Sequence, residues 1–208
     1  AFVPASAGLL GPRALTWGPD GNLYIGCENK GNIYKFNGSA STLSVFIASN
    51  AAGNGSPAAG FRNGIVFGPD GHLYVADRVN ARIVKFNGTT GAYMSIIADN
   101  TDGIGWSSLR EIMFAPDGYM YVCQGDGPNQ INRLDVNTGV MTLFADMSGY
   151  LPRNITIGPD GYFYVSSGLP AVVVRLTSTG TFKDVIVPLQ PMNSAFKKVL
   201  FLNCTSCF

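Results

Sequence analysis

The chain has 208 residues and a formal net charge of +1, with 14 basic and 13 acidic side chains, so charge gives no reason to expect a nucleic-acid partner. Apolar residues make up 46% of the sequence and charged residues only 13%, and no apolar stretch reaches the roughly 18 residues of a membrane span. The 26 glycines and 12 prolines favour short strands and tight turns over a helical bundle or a coiled coil. The chain begins at Ala1 instead of Met, which is typical of a processed chain.

A four-residue turn recurs four times along the chain. Gly-Pro-Asp-Gly stands at 18–21, 68–71 and 158–161, and Ala-Pro-Asp-Gly stands at 115–118. A short apolar segment precedes each turn, and a second one follows it with a tyrosine six positions after the first turn residue: Tyr24, Tyr74, Tyr121 and Tyr164. A third and a fourth apolar segment complete each unit. Four strands repeated at a period near 45 residues are typical of a β-propeller blade.

The repeat predicts one all-β domain over residues 1–208, a β-propeller with four complete four-stranded blades and an incomplete fifth. The segments ALTW, GIVF, EIMF and NITI are the predicted innermost strands. The predicted blades are about 14–60, 61–109, 110–152 and 153–190.

The two ends of the sequence match single strands of the repeat. Residues 1–4 match a fourth strand and residues 199–203 match a first strand, so the termini are predicted to share the incomplete fifth blade. Three outcomes stay open: the ring closes with this thin blade, the natural chain continues, or an open strand edge pairs with another chain.

The stretch GIVFGPDGHLYVADRVNARIVKFNGTTG, residues 64–91, resembles the NHL-type propeller family. The other three repeats keep the turn and the tyrosine but lack the Asp-x-x-Asn-x-Arg part of the pattern. The resemblance implies a propeller fold and makes Asp77 a brace at a strand end. Propellers of this kind include enzymes, receptors and scaffolds. More distantly, the repeats are similar to those of virginiamycin B lyase and of the regucalcin and gluconolactonase family.

Charged residues recur where one mouth of the channel is expected. Arginine stands five or six positions before each turn, and acidic residues follow second strands; the candidates are Arg13, Arg62, Arg110, Arg153, Glu28, Asp77 and Asp126. Glu111 is a further acid on the same face. The arginines either form a positive ring that suits an anion or brace the neighbouring blade with their rigid five-donor fork.

Catalysis has few candidates in this sequence. The only histidine, His72, directly follows a turn and is expected to be an exposed turn residue. Hydrolases of the regucalcin and gluconolactonase kind hold a divalent ion with Glu, Asn and Asp, but the flanking motifs of that family are absent here. We therefore predict no catalytic residue, no metal and no cofactor. The turn aspartates Asp20, Asp70, Asp117 and Asp160 are expected to form turns.

The cysteines and glycosylation sequons point to an oxidising, extracellular setting. Cys27 and Cys123 end second strands two blades apart, too far for a bridge, whereas Cys204 and Cys207 are candidates for a local or interchain disulfide. Five sequons stand at Asn37, Asn54, Asn87, Asn154 and Asn203. The first and third of these fall in equivalent hairpin turns, and burial in a first strand opposes modification of the fourth.

These features favour a secreted, non-catalytic β-propeller glycoprotein. We expect a binding or structural scaffold whose partners are proteins, including further copies of itself in a larger assembly or filament. N-linked glycans are expected, and neither nucleic acid nor membrane is an expected partner. The alternative is an enzyme, a propeller lyase or lactone hydrolase with a divalent metal in the central channel.

Overall fold

The computed structural model describes residues 3, 9–28, 31–49, 64–99 and 107–187. These residues form strands and turns, and they contain no helix of the length and apolar character that crossing a membrane requires. Blade 1 consists of β1 (Pro12–Trp17), β2 (Leu23–Cys27), β3 (Ile33–Asn37) and β4 (Thr42–Ile47). Blade 2 consists of β5 (Ile65–Phe67), β6 (Leu73–Asp77), β7 (Arg82–Phe86) and β8 (Tyr93–Asp99). Blade 3 consists of β9 (Leu109–Phe114), β10 (Met120–Gln124), β11 (Gln130–Leu134) and β12 (Met141–Asp146). Blade 4 consists of β13 (Pro152–Ile157), β14 (Phe163–Gly168), β15 (Ala171–Leu176) and β16 (Phe182–Val187).

Each blade is an antiparallel sheet whose four strands follow chain order. The first strands, β1, β5, β9 and β13, are innermost and together line one cavity of about 380 Å³. The predicted all-β propeller with four four-stranded blades is therefore confirmed. The fifth blade predicted from residues 1–4 and 199–203 falls, apart from Val3, outside the described residues.

Consecutive blades pack face to face through apolar side chains. The tyrosine that follows each turn is central to this packing because its ring meets an aromatic side chain of the next blade. The ring centroids lie 4.8 Å apart for Tyr24 and Phe67, 5.1 Å for Tyr74 and Phe114, and 4.7 Å for Tyr121 and Phe163. The repeated tyrosine thus ties the sequence repeat directly to the interface between blades.

The four turns close in the same way. In each, the aspartate side chain accepts a hydrogen bond from the tyrosine hydroxyl, at 3.0, 2.9, 2.8 and 2.7 Å in blades 1 to 4. The last turn residue has a positive φ, between 74° and 85°, which explains why glycine stands there every time. The expectation that the aspartates form turns is confirmed.

A basic side chain on the third strand of each blade completes this arrangement. The cation lies 2.7 to 3.7 Å from the turn aspartate, in the pairs Lys35–Asp20, Lys85–Asp70, Arg133–Asp117 and Arg175–Asp160. The sequence analysis missed these pairs. Their signal is a basic residue 15 or 16 positions after each turn aspartate.

Acidification is expected to weaken the fold through these turns. Burial would raise the pKa of Asp70, but hydrogen bonds from Lys85, the His72 amide and Tyr74 outweigh burial and hold that pKa below its ordinary value. A carboxyl whose pKa is lower in the folded state stabilises the fold above its unfolded pKa, near 4, and loses this contribution as the pH falls through the folded value. We expect the free energy of unfolding to fall between about pH 4.5 and pH 2.5. Urea unfolding across this range tests the expectation, and the Asp70→Asn variant should show a shallower decline; an unchanged free energy down to pH 3 would contradict it.

One polar side chain interrupts the apolar interface between blades 2 and 3. Asn132 on β11 is fully buried, and its amide nitrogen lies 3.1 Å from the Met141 sulfur, while its carbonyl oxygen accepts no hydrogen bond within the described structure. The register places Val84 and Val174 at the same position in blades 2 and 4. An unsatisfied buried polar group costs about 1–3 kcal/mol.

We therefore expect Asn132→Val to raise the free energy of unfolding by about 1 kcal/mol, since valine removes the buried amide and suits this register. Urea unfolding measures the change. The reciprocal variant, Val84→Asn, should lower stability. A less stable Asn132→Val protein would show that the amide has a structural role.

Candidate functional site

The predicted channel-mouth arginines converge on one carboxylate. Arg153 at the start of β13 places its two terminal nitrogens 2.9 Å from the two oxygens of Asp126, which follows β10. Arg110 on β9 forms an ion pair with the same carboxylate, and Arg78 after β6 places Nη2 3.5 Å from it. These four residues are called the arginine cluster below. The cluster joins blades 2, 3 and 4 where their innermost strands begin.

The loop after β10 holds Asp126 in an unusual backbone conformation. Its φ is +73°, in the left-handed region that costs energy for a residue with a side chain. The Ser108 hydroxyl donates to its carbonyl oxygen at 3.2 Å, and its amide donates to the Asn129 side chain at 3.2 Å. A side chain on Gly125 would collide with the carbonyl oxygen of Pro152 in blade 4. The loop therefore fits against the next blade only with glycine before the aspartate.

The other predicted mouth residues form separate ion pairs. Arg13 donates to Glu28 at 2.6 Å within blade 1. Asp77 accepts hydrogen bonds from Arg82 at 2.8 Å and from the Asn80 side chain at 2.7 Å, and both members of its ion pair with arginine are buried. This geometry is the strand-end brace that the family resemblance implied. Arg62 lies outside the described residues.

Sequence reasoning missed Arg78 as a member of the cluster. The residue directly follows strand β6, in the position that Glu28 takes after β2. Because that position was already recognised for the acid of blade 1, the register of the repeat carried the missing signal.

The channel between the innermost strands is mainly apolar. Its polar lining includes Glu111, Asn154, Thr16 and Thr156, among isoleucine, valine and leucine side chains. In the part of the chain that the structure describes, no group of three His, Cys, Asp or Glu side chains is placed to hold a metal ion. His72 accepts a hydrogen bond from the Gly88 amide at 3.4 Å, which confirms it as a turn residue.

The cysteines and sequons fall into described and undescribed parts of the chain. Cys27 and Cys123 are both buried and form no disulfide with each other, as predicted. Burial raises the pKa of the Cys123 thiol, and the nearby Glu111 carboxylate adds to this rise. Cys204, Cys207, Asn54 and Asn203 lie outside the described residues.

The three sequons within the described ranges differ in their surroundings. Asn37 and Asn87 stand at equivalent hairpin connections, where their side-chain oxygens accept backbone amides of Ala40 and of Thr89 at 2.9 Å. Asn154 is buried on β13 and lines the channel. The hairpin asparagines are therefore the better acceptors for a glycan.

Comparisons with known proteins agree with this architecture. Residues 63–86 match the family model of the NHL repeat. A search of the curated proteins found no sequence match to the chain. Among solved structures, the chain is similar to a catalytically inactive virginiamycin B lyase from Staphylococcus aureus with quinupristin, at 18% identity and a TM-score of 0.64, covering 88% of this chain and 56% of that one.

Two further structures share the fold. A putative gluconolactonase has 16% identity and a TM-score of 0.70, with 86% of this chain and 64% of that chain covered. The extracellular domain of a putative one component system from B. thetaiotaomicron has 15% identity and a TM-score of 0.64, with 85% and 24% covered. The chain thus spans about half of the length of the lyase and less than two thirds of the lactonase. Likeness at these identities is a likeness of fold.

Proposed function

We propose that this propeller, which carries an NHL repeat, is a non-catalytic extracellular scaffold that binds protein, with further copies of itself among its partners. The observation that carries the proposal is a row of apolar side chains on the outermost strands. Its members, one at the same register in each blade and between 37% and 59% exposed, are Val45, Ile96, Leu143 and Val185. These four residues are called the rim row below.

Further exposed apolar side chains widen the rim row. Tyr93 and Met94 flank it on β8, and Phe182 and Ile186 flank it on β16. The outermost strand is the last in each sheet, so its free side is an edge on which another strand can pair. An apolar edge in a chain with only 13% charged residues suits burial against protein.

The pairing of charges at the channel mouth also supports a scaffold over the enzyme alternative. Asp77 and Glu28 each have an arginine partner, and Asp126 has three. Acids held in this way stabilise contacts within and between blades instead of converging on a common point in the channel, as a hard cation requires.

The test of self-association uses charge placed on the rim. Light scattering should show a higher-order species for the unmodified chain that decreases with Val45→Lys combined with Leu143→Lys. The matched control is Val79→Lys combined with Leu169→Lys, because these side chains are 56% and 55% exposed but lie away from the outermost strands.

Two outcomes would overturn the proposal. A monodisperse monomer at high concentration would remove the self-association, and an equal effect of both double variants would remove the role of the rim row. Stoichiometric binding of a divalent ion that is lost with Glu111→Gln would support the lyase or lactone hydrolase instead.

Secretion and glycosylation are part of the same proposal. The fold occurs outside the cell in one similar protein, whose structure is described as an extracellular domain. Expression through a eukaryotic secretory pathway should add hexose at Asn37 and Asn87, and intact-mass analysis measures it. Ser39→Ala and Thr89→Ala remove these sequons while keeping the asparagines that close the turns. No added mass on the unmodified protein would contradict the prediction.

A further inference from the structure

We propose that the arginine cluster binds a small oxyanion, a carboxylate or a phosphate, at the channel mouth. This inference goes beyond the proposed scaffold function and stands on different residues. Its first observation is the charge balance, since three guanidinium groups share the single carboxylate of Asp126. The cluster therefore has a surplus of two positive charges.

The surplus charge is held where water screens it incompletely. The four side chains of the cluster are between 11% and 32% exposed. Charges at this depth interact more strongly with a counterion than fully exposed ones. Burial also lowers the pKa of Arg153, which shows that its positive charge is incompletely solvated.

Neighbouring charged residues do not remove the surplus. The pairs Arg13–Glu28 and Arg82–Asp77 are each neutral. Glu111 follows Arg110 in β9 and lines the cavity, and with its charge included the group is still positive by one. An anion is therefore the ligand that the local electrostatics favour.

A buried amide next to the cluster supplies the second, independent observation. Gln124 is fully buried; its oxygen accepts the Ser107 amide at 3.2 Å, while its side-chain nitrogen donates to none of the described residues. The next residue, Ser108, has its hydroxyl 3.5 Å from Arg78 and donates to the Asp126 carbonyl. A buried donor without an acceptor, beside surplus positive charge, favours a ligand that carries acceptor oxygens.

The geometry of arginine limits the ligand to a compact oxyanion. A guanidinium group has five donors in a fixed fork, and this fork matches the paired oxygens of a carboxylate or a phosphate. The contacts to Asp126 already show this mode, since Arg153 uses both terminal nitrogens on the two carboxylate oxygens. The formal net charge of the whole chain is only +1, so a long polyanion lacks the extended basic surface that it needs.

The test measures binding of defined anions to the full chain. Isothermal titration at low ionic strength uses inorganic phosphate, citrate and chloride, so that phosphate, carboxylate and simple ionic strength are distinguished. We expect phosphate or citrate to bind at a stoichiometry of one, and Arg153→Gln to weaken this binding at least tenfold. The matched control is Arg13→Gln, because Arg13 has the same position in blade 1 but pairs with Glu28, and it should leave the affinity unchanged.

Two further variants keep the test decisive if Arg153→Gln fails to fold. Arg78→Gln removes the longest contact to Asp126 and should also weaken binding, whereas Asp126→Asn should tighten it by removing the competing carboxylate. Phosphate and citrate acting no better than chloride would overturn the proposal, and so would an equal loss of affinity in Arg13→Gln. Because oligomeric state is not the readout, these outcomes are separate from those of the scaffold test.

Discussion

Tyr121→Ala is expected to lower the free energy of unfolding by about 3–5 kcal/mol. The ring of Tyr121 is fully buried, with centroids 4.7 Å from both Phe144 in its own blade and Phe163 in the next blade. Alanine leaves a cavity at the interface of blades 3 and 4, which the surrounding sheets fill only in part. Urea unfolding followed by circular dichroism measures the loss.

Two controls separate the ring from its hydroxyl and from surface effects. Tyr121→Phe removes only the hydrogen bond to Asp117, at 2.8 Å, and should cost about 1 kcal/mol. Tyr93→Ala removes an exposed tyrosine on β8 and should cost less than the buried substitution. If Tyr121→Phe costs as much as Tyr121→Ala, the hydrogen bond and not the aromatic packing holds this interface.

Asp126→Asn is expected to lower the free energy of unfolding by about 2 kcal/mol, since it leaves three arginines near one another without their shared carboxylate. The value is below that for a fully buried ion pair because the cluster is partly exposed and solvent screens part of the repulsion. Urea unfolding at low salt measures it, and the loss should shrink in about 1 M salt as repulsion is screened.

The matched control for the cluster is Glu28→Gln, which removes one acid from one exposed arginine. An exposed pair of this kind contributes about 0–1 kcal/mol, so the control should have a small effect. Equal losses in the two variants would show that Asp126 acts as an ordinary surface acid and that the convergence of three blades on it adds no stability.

The fold could be predicted from the sequence because local and tertiary signals coincide in each repeat. The turn at 68–71 needs proline, aspartate and glycine for its backbone, and Tyr74 six positions after its start is required both by that turn and by the next blade. A residue with two reasons to recur leaves a strong pattern, even where the rest of the repeat has diverged.

The site could be predicted only in part. Arg110 and Arg153 were recognised by their spacing from the turns, but nothing in a single sequence tells that both reach the same carboxylate. Their convergence depends on the left-handed backbone of Asp126 and on the close approach of Gly125 to blade 4, which are tertiary features. Lys35 and its equivalents were missed because one basic residue per repeat looks like ordinary strand surface until the register pairs it with the turn.

The shared register of the blade interfaces bears on how such a protein changes over evolution. Ile65, Ile112 and Ile155 each pack against the blade before them, in clusters that contain Tyr24, Tyr74 and Tyr121 respectively. A duplicated segment of one repeat length would therefore arrive with both of its faces already complementary to its new neighbours. Gene duplication and deletion in units of one repeat can thus alter the number of blades without inventing a new interface, whereas an insertion of any other length within a strand would break the register.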